Sequence, residues 1–120
     1  MVANNDWSVV FFTEEGGRSP VREFLESLDL KTQARLRRAL ELLTQPNDGA
    51  TEQLVRCLEG ELWELRVASV TNNYRLIYFS YADCRIVILH GFRKTTQTTP
   101  RHEIETASRR LEDFQMRKGM

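Results

Sequence analysis

The stretch that decides the fold spans residues 62–95 and reads LWELRVASVTNNYRLIYFSYADCRIVILHGFRKT. Aromatic and β-branched residues dominate three runs in it, and such residues favour strands. Two short polar breaks separate the runs, and connections this short join antiparallel neighbours. The stretch therefore predicts a meander with strands at about residues 62–68, 74–81 and 85–92. Strict alternation of side chains along the last strand predicts His90 and Phe92 on the same face as Ile88.

The flanking sequence predicts one more strand and three helices. Residues 7–13 (WSVVFFT) have strand composition. Ser19-Pro20, Asp29 and Thr99-Pro100 mark three helix starts, because cap residues and an early proline suit the unpaired N–H groups there. Residues 54–58 are either a frayed strand or the approach to one. The order strand, helix, helix, three strands, helix predicts an α+β domain with its helices over one face of a mainly antiparallel sheet.

Length and composition indicate one soluble domain, residues 1–120 with a core at about 7–114. No apolar run approaches the ~18 residues that span a bilayer, so we expect a cytoplasmic protein without membrane contact. Cys57 and Cys84 belong to no CxxC pair, which predicts apolar core residues in a reducing compartment. His90 and His102 have no metal-binding context, and no nucleotide-binding motif is present. We therefore expect neither a metal nor a cofactor.

Cations stand at the ends of the predicted strands. Arg66 and Arg75 lie near strand ends, and Arg93 and Lys94 follow the third strand. Because each strand of a meander ends where the next begins, these side chains are predicted to gather along one edge. Such cations bind phosphate oxygens and stabilise a phosphorane, while a lysine or His90 transfers protons. The alternative is that the arginines form surface ion pairs and His90 is a structural hydrogen-bonding residue.

Three more cations share the outward face of the second predicted helix. Lys31, Arg35 and Arg38 follow the i, i+4, i+7 spacing that places side chains on one side of a helix. The surface is either solvated or contacts RNA phosphates or an acidic partner.

The motifs LEGELWELRV, NYRLIYF and ILHGFRKTTQTTPRHEIETA, with the earlier SPVREFLESLD, resemble the HigB-like, phage-derived branch of the RelE/ParE toxin superfamily. The resemblance spans residues 9–114. It implies a RelE-like fold and the toxin of a type II toxin–antitoxin pair, a metal-independent endoribonuclease that cuts mRNA at the ribosome. It also implies a helix-turn-helix antitoxin as partner, through which the complex contacts operator DNA.

The resemblance also assigns candidate catalytic positions. Arg75 matches the strand arginine that contacts the scissile phosphate, and Arg66 matches the basic position on the preceding strand. Arg93 and Lys94 match the cations after the last strand, and His90 lies beside them.

Two features depart from the family pattern. Thr98 stands where lysine is frequent, and the chain has zero net charge whereas many ribosome-dependent members are strongly basic. Two other functions therefore stay open, namely a ParE-type toxin acting on DNA gyrase and a non-toxic module that binds an antitoxin.

Overall fold

The computed structural model describes residues 8–45, 54–81 and 84–118, which form five strands and three helices. Trp7 and the predicted turn at Ala82-Asp83 lie outside the described residues. In chain order the elements are β1 (Ser8–Phe11), α1 (Pro20–Glu26), α2 (Leu30–Thr44), β2 (Val55–Glu59), β3 (Leu62–Ala68), β4 (Asn73–Tyr81), β5 (Arg85–Lys94) and α3 (Arg101–Arg117).

The strands form one sheet in the order β1-β5-β4-β3-β2. Only β1 and β5 are parallel, and the pairs β5–β4, β4–β3 and β3–β2 are antiparallel. The predicted α+β class and mainly antiparallel meander are confirmed. The apolar segment before Gly60 is a true strand, β2, which pairs along β3.

Helices cover both faces of this sheet. We call the face that carries Leu65, Leu76 and Ile88 the helix-pair face, because α1 and α2 pack on it. The opposite face carries Ile77 and Phe79 and packs against α3, so we call it the α3 face. The prediction that all helices lie over one face was wrong, since β4 is apolar on both sides and both sides need cover. No helix in the described ranges is long and apolar enough to cross a membrane.

The helix starts are defined by local hydrogen bonds. The Ser19 side chain accepts from the Arg22 N–H at the start of α1, and the Asp29 carboxylate accepts from the Thr32 N–H at the start of α2. For α3 the cap residue is Pro100, which has no side-chain bond to offer. The hydroxyl of Thr99 donates instead to Glu64, so this threonine links the start of α3 to the sheet.

A β-bulge changes which side chains of β5 share a face. Ile77 of β4 pairs with His90, but the next residue of β4 pairs with Ile88, so Leu89 is an extra residue in the strand. His90 and Phe92 consequently lie on the α3 face, opposite Ile88. The prediction from strict alternation was therefore wrong for His90 and Phe92, because one inserted residue reverses the pattern beyond it.

The cysteines are not core residues. Cys57 is exposed because it lies on the edge strand β2, and Cys84 is half-buried at the start of β5. The prediction of two buried apolar cysteines was wrong.

Candidate active site

Three of the predicted cations share the α3 face at one end of the sheet. Arg66 of β3 lies directly opposite Arg75 of β4, and Lys94 of β5 lies opposite Asn73 of β4. Directly paired residues project to the same face, and Asn73 and Arg75 are two residues apart on β4. Two arginines in direct cross-strand register repel each other. An anion bound between the two guanidinium groups would offset this repulsion.

A fourth cation, Arg56, joins them from β2. Arg56 pairs in register with Glu64 of β3, and its Nη2 lies 3.7 Å from Glu64 Oε1. We call Arg56, Arg66, Arg75 and Lys94 the cation cluster. Sequence reasoning missed Arg56 because a register shift between Cys57 and Glu59 decides its face. Regular pairing counted back from the turn at Gly60 would have put Arg56 on the other side of the sheet.

Glu64 lies at the centre of the cluster. Its side chain is 1% exposed, and its Oε1 lies 3.5 Å from Arg75 Nε. The Thr99 hydroxyl donates to the second carboxylate oxygen. Arg56 and Arg75 thus both approach this carboxylate to within 4 Å. The four cations of the cluster outnumber it, so the site keeps an excess of positive charge although the whole chain is neutral.

Lys94 borders an open depression of about 600 Å³, which is also lined by Asn73 and residues 95–97. Its Nζ donates to the carbonyl of Gln97 at 2.6 Å. Partial desolvation lowers the pKa of Lys94, and the neighbouring Arg75 guanidinium lowers it further. The amine is thus closer to losing its proton than a free lysine, which suits a group that transfers protons. Arg75 remains charged, although burial lowers its pKa as well.

His90 links β5 to α3. Its Nε2 lies 2.6 Å from a Glu103 carboxylate oxygen, and its Nδ1 lies 3.1 Å from Nη1 of Arg110. Since a guanidinium only donates, Nδ1 accepts and Nε2–H donates to Glu103. Burial lowers the pKa of His90 despite the carboxylate, so the ring is neutral at pH 7. Both ring nitrogens are engaged in this link, and the role of His90 in proton transfer stays a prediction.

Arg93 does not join the cation cluster. It lies opposite Tyr74, whose ring packs against Phe24 of α1 at a centroid distance of 6.4 Å. Arg93 therefore belongs to the helix-pair face, whereas the adjacent Lys94 belongs to the α3 face. The sequence placed both on one edge because it located them at the strand end without resolving their direction.

The cations of α2 also lie on the helix-pair side of the sheet. Lys31, Arg35 and Arg38 are exposed, as their spacing predicted. Arg35 and Arg38 border a groove of about 420 Å³ between α2 and β3, and Lys31 is not among the residues that line it. The apolar part of the groove comprises Ala34, Ala39, Leu42, Leu54, Val67 and Ala68. Arg66 of β3 also lines the groove, so this surface adjoins the cation cluster at β3.

The sheet, its helices and the family comparison define the class of this protein. A five-stranded, mainly antiparallel sheet with helices on both faces is consistent with a RelE-like α+β domain. The family described as "Phage derived protein Gp49-like (DUF891)" matches residues 23–112 of the 120-residue chain. The chain belongs to this phage-derived Gp49-like family, which is RelE/toxin-like. No curated protein matches the chain at a significant level of similarity.

Proposed function

We propose that the chain is the toxin of a type II toxin–antitoxin pair, a metal-independent endoribonuclease that cuts mRNA at the ribosome. The observation that carries the proposal is the convergence of the cation cluster on the α3 face, with Lys94, a lysine of lowered pKa, as one of its members. The phosphodiester is an anion that becomes more negative as it is cleaved, so fixed cations favour the transition state over the bound substrate. Membership of the Gp49-like family supports the same class of function.

The residues of the site suit cleavage by the RNA's own 2′-hydroxyl. The neutral amine of Lys94 takes the 2′-hydroxyl proton, and the 2′-oxygen attacks the adjacent phosphorus. Arg75 and Arg66 stabilise the negative phosphorane that forms. The bond from phosphorus to the 5′-oxygen then breaks, and the Lys94 ammonium returns its proton to the leaving oxygen. The products are a 2′,3′-cyclic phosphate and a 5′-hydroxyl end.

Induced expression followed by mapping of mRNA ends tests this proposal. The wild type should arrest growth and produce new mRNA ends, and Lys94→Met should abolish both, because methionine keeps the stem and removes the amine. Arg85→Met is the matched control, since Arg85 is exposed at the opposite end of β5, roughly 30 Å from Lys94.

Two other outcomes would reject the endoribonuclease. Intact transcripts together with altered DNA supercoiling would favour a ParE-type toxin acting on gyrase. A protein that neither arrests growth nor cleaves RNA, yet binds the product of the neighbouring gene, would favour a non-toxic binding module.

The groove beside α2 supports a partner of defined chemistry. Arg35 and Arg38 border its apolar lining, so it suits an amphipathic segment with acidic residues beside its apolar ones. We propose that this segment belongs to a helix-turn-helix antitoxin, and that operator DNA is bound through the antitoxin alone. This interpretation assigns Arg35 and Arg38 to the partner rather than to RNA, and leaves Lys31 as the remaining candidate for RNA contact on α2.

Charge reversal tests the docking surface. Arg35→Glu and Arg38→Glu should each weaken antitoxin binding about tenfold or more, because each replaces an attraction by a repulsion. Arg37→Glu makes the same change at an exposed position of α2 outside the groove and should bind normally. Isothermal titration with the antitoxin measures all three. Equal affinities for the three variants would place the antitoxin elsewhere.

A further inference from the structure

Within the described ranges, Glu64 is the only buried acidic side chain, and it lies inside a site built from cations. Burial removes a carboxylate from water, which is strongly unfavourable unless cations and hydrogen-bond donors replace the water. Here Arg75 approaches to 3.5 Å, Arg56 approaches to 3.7 Å, and the Thr99 hydroxyl donates a hydrogen bond.

These contacts tie together three separate parts of the chain. Arg56 comes from β2 and Arg75 from β4, on either side of the strand that carries Glu64. Thr99 comes from the segment between β5 and α3, which also contains the Gln97 carbonyl that accepts from Lys94. Arg75 is held from a second direction as well, because its Nη1 donates to the Tyr74 carbonyl at 3.1 Å. The guanidinium of Arg75 and the segment that accepts from Lys94 are thus fixed relative to the same carboxylate.

We propose that Glu64 is a positioning residue of the RNA-cleaving site, which holds Arg75 and the Thr99 segment in place and lowers the affinity of the site for the RNA backbone. The inference rests on the proposed function. A carboxylate in the cluster opposes a bound phosphate at every stage of the reaction. The orientation of Arg75 affects mainly the transition state, because a displacement of about 1 Å there strongly lowers the rate of the reaction. Glu64 therefore weakens binding while it accelerates cleavage.

A purely structural ion pair would behave differently. Its loss would lower stability and would weaken binding and cleavage together, because the site would become disordered. A positioning residue predicts opposite changes, tighter binding with slower cleavage. Glu64→Gln separates the two, because glutamine has nearly the same shape and still accepts from the Thr99 hydroxyl while it lacks the charge.

Binding and cleavage are measured separately. The binding probe is a fluorescein-labelled oligonucleotide with 2′-deoxy sugars, which the protein cannot cleave, and the readout is fluorescence anisotropy at low salt. Glu64→Gln should lower the Kd about threefold to tenfold, because one opposing charge close to the phosphate is gone. The single-turnover rate on a ribosome-bound transcript should fall about tenfold or more. An unchanged or higher Kd, or an unchanged rate, would overturn the proposal.

Thr99 provides a second, charge-neutral test of the same arrangement. Thr99→Val removes the hydrogen bond to Glu64, so it should slow cleavage while the Kd of the uncleavable probe stays the same. Thr99→Ser keeps a hydroxyl, so this variant should cleave RNA at about the wild-type rate. A Thr99→Val variant that cleaves at the wild-type rate would show that the link to Glu64 does not position the site.

One readout does not depend on ribonuclease activity. The carboxylate of Glu64 raises the pKa of Lys94, against the larger lowering effects of desolvation and Arg75. Glu64→Gln should therefore lower the Lys94 pKa, as followed by NMR titration of the lysine side chains, with Arg56, Arg66 and Arg75 unchanged. If the wild type cleaves no RNA, the proposed function fails but this shift is still expected. If the Lys94 pKa does not move, Glu64 is not coupled to the site.

Discussion

Replacing Arg75 by methionine should destabilise the fold as well as the site. The Arg75 side chain is 12% exposed and lies 3.5 Å from a carboxylate that is 1% exposed. Arg75→Met leaves that carboxylate buried with less positive charge around it. Removing one partner of a buried ion pair costs about 3–5 kcal/mol. Glu64 still has the hydrogen bond from Thr99 and the half-exposed Arg56 nearby, so we expect a loss somewhat below this range, about 2–3 kcal/mol.

The double variant Arg75→Met/Glu64→Gln should recover part of this loss. Burying a neutral amide costs less free energy than burying an unpaired carboxylate. The double variant should therefore be about 1–2 kcal/mol more stable than Arg75→Met alone. Urea unfolding at pH 7, followed by tryptophan fluorescence, measures the four corners of this double-mutant cycle. Arg85→Met should stay within about 0.5 kcal/mol of the wild type as an exposed control.

Additive effects of the two substitutions would refute the reasoning. Additivity would mean that Glu64 does not depend on Arg75 for its burial. The stability data are also needed to interpret the functional test. Loss of toxicity in Arg75→Met can have two causes, a missing phosphate contact and a less stable protein. The unfolding measurement separates them, because it shows whether the Arg75→Met protein is still folded under the conditions of the toxicity assay.

Two other predictions test the packing of β5 against the helices on the two faces of the sheet. A Cβ at Gly91 would lie 2.8 Å from Phe24 of α1, so Gly91→Ala should lower the free energy of unfolding by about 1–3 kcal/mol. Gly16→Ala, where a Cβ meets nothing within 4 Å, should have little effect, and equal urea midpoints for the two would contradict the tight contact of α1 with β5. The second prediction concerns His90, whose pKa in the folded protein is lowered by burial. The unfolded chain therefore binds a proton at this residue more readily than the folded protein does. The free energy of unfolding of the wild type should consequently decrease as the pH falls through about 6.5. His90→Gln should show a smaller loss between pH 7 and 5, and an identical slope in the two proteins would show that His90 does not titrate with folding.

The sequence was sufficient for the strands and most helix starts because these depend on local patterns. The runs within residues 62–95 have the composition and spacing of paired strands, and Ser19 and Asp29 cap their helices as predicted. The meander also brings Arg66 opposite Arg75, because short connections leave few choices of register.

The directions of the side chains depended on irregularities that no periodic pattern contains. One extra residue, Leu89, places His90 and Phe92 on the α3 face, and a register shift in β2 places Arg56 beside Glu64. The burial of Glu64 could not be predicted from the sequence either. A glutamate between Trp63 and Leu65 follows the apolar–polar alternation that is expected of a solvent-facing position. The cation cluster can therefore be predicted in part from the sequence. The position of the carboxylate at its centre becomes evident only in the tertiary structure.

The chemical identity of the RNA ends tests the central claim most directly. Transcripts from cells that express the wild type should acquire 5′-hydroxyl and 2′,3′-cyclic phosphate ends at new positions, because the 2′-hydroxyl is the nucleophile. Arg85→Met should produce the same ends, and Lys94→Met should produce none. Growth arrest with intact transcripts, or new ends that carry 5′-phosphates, would contradict the account.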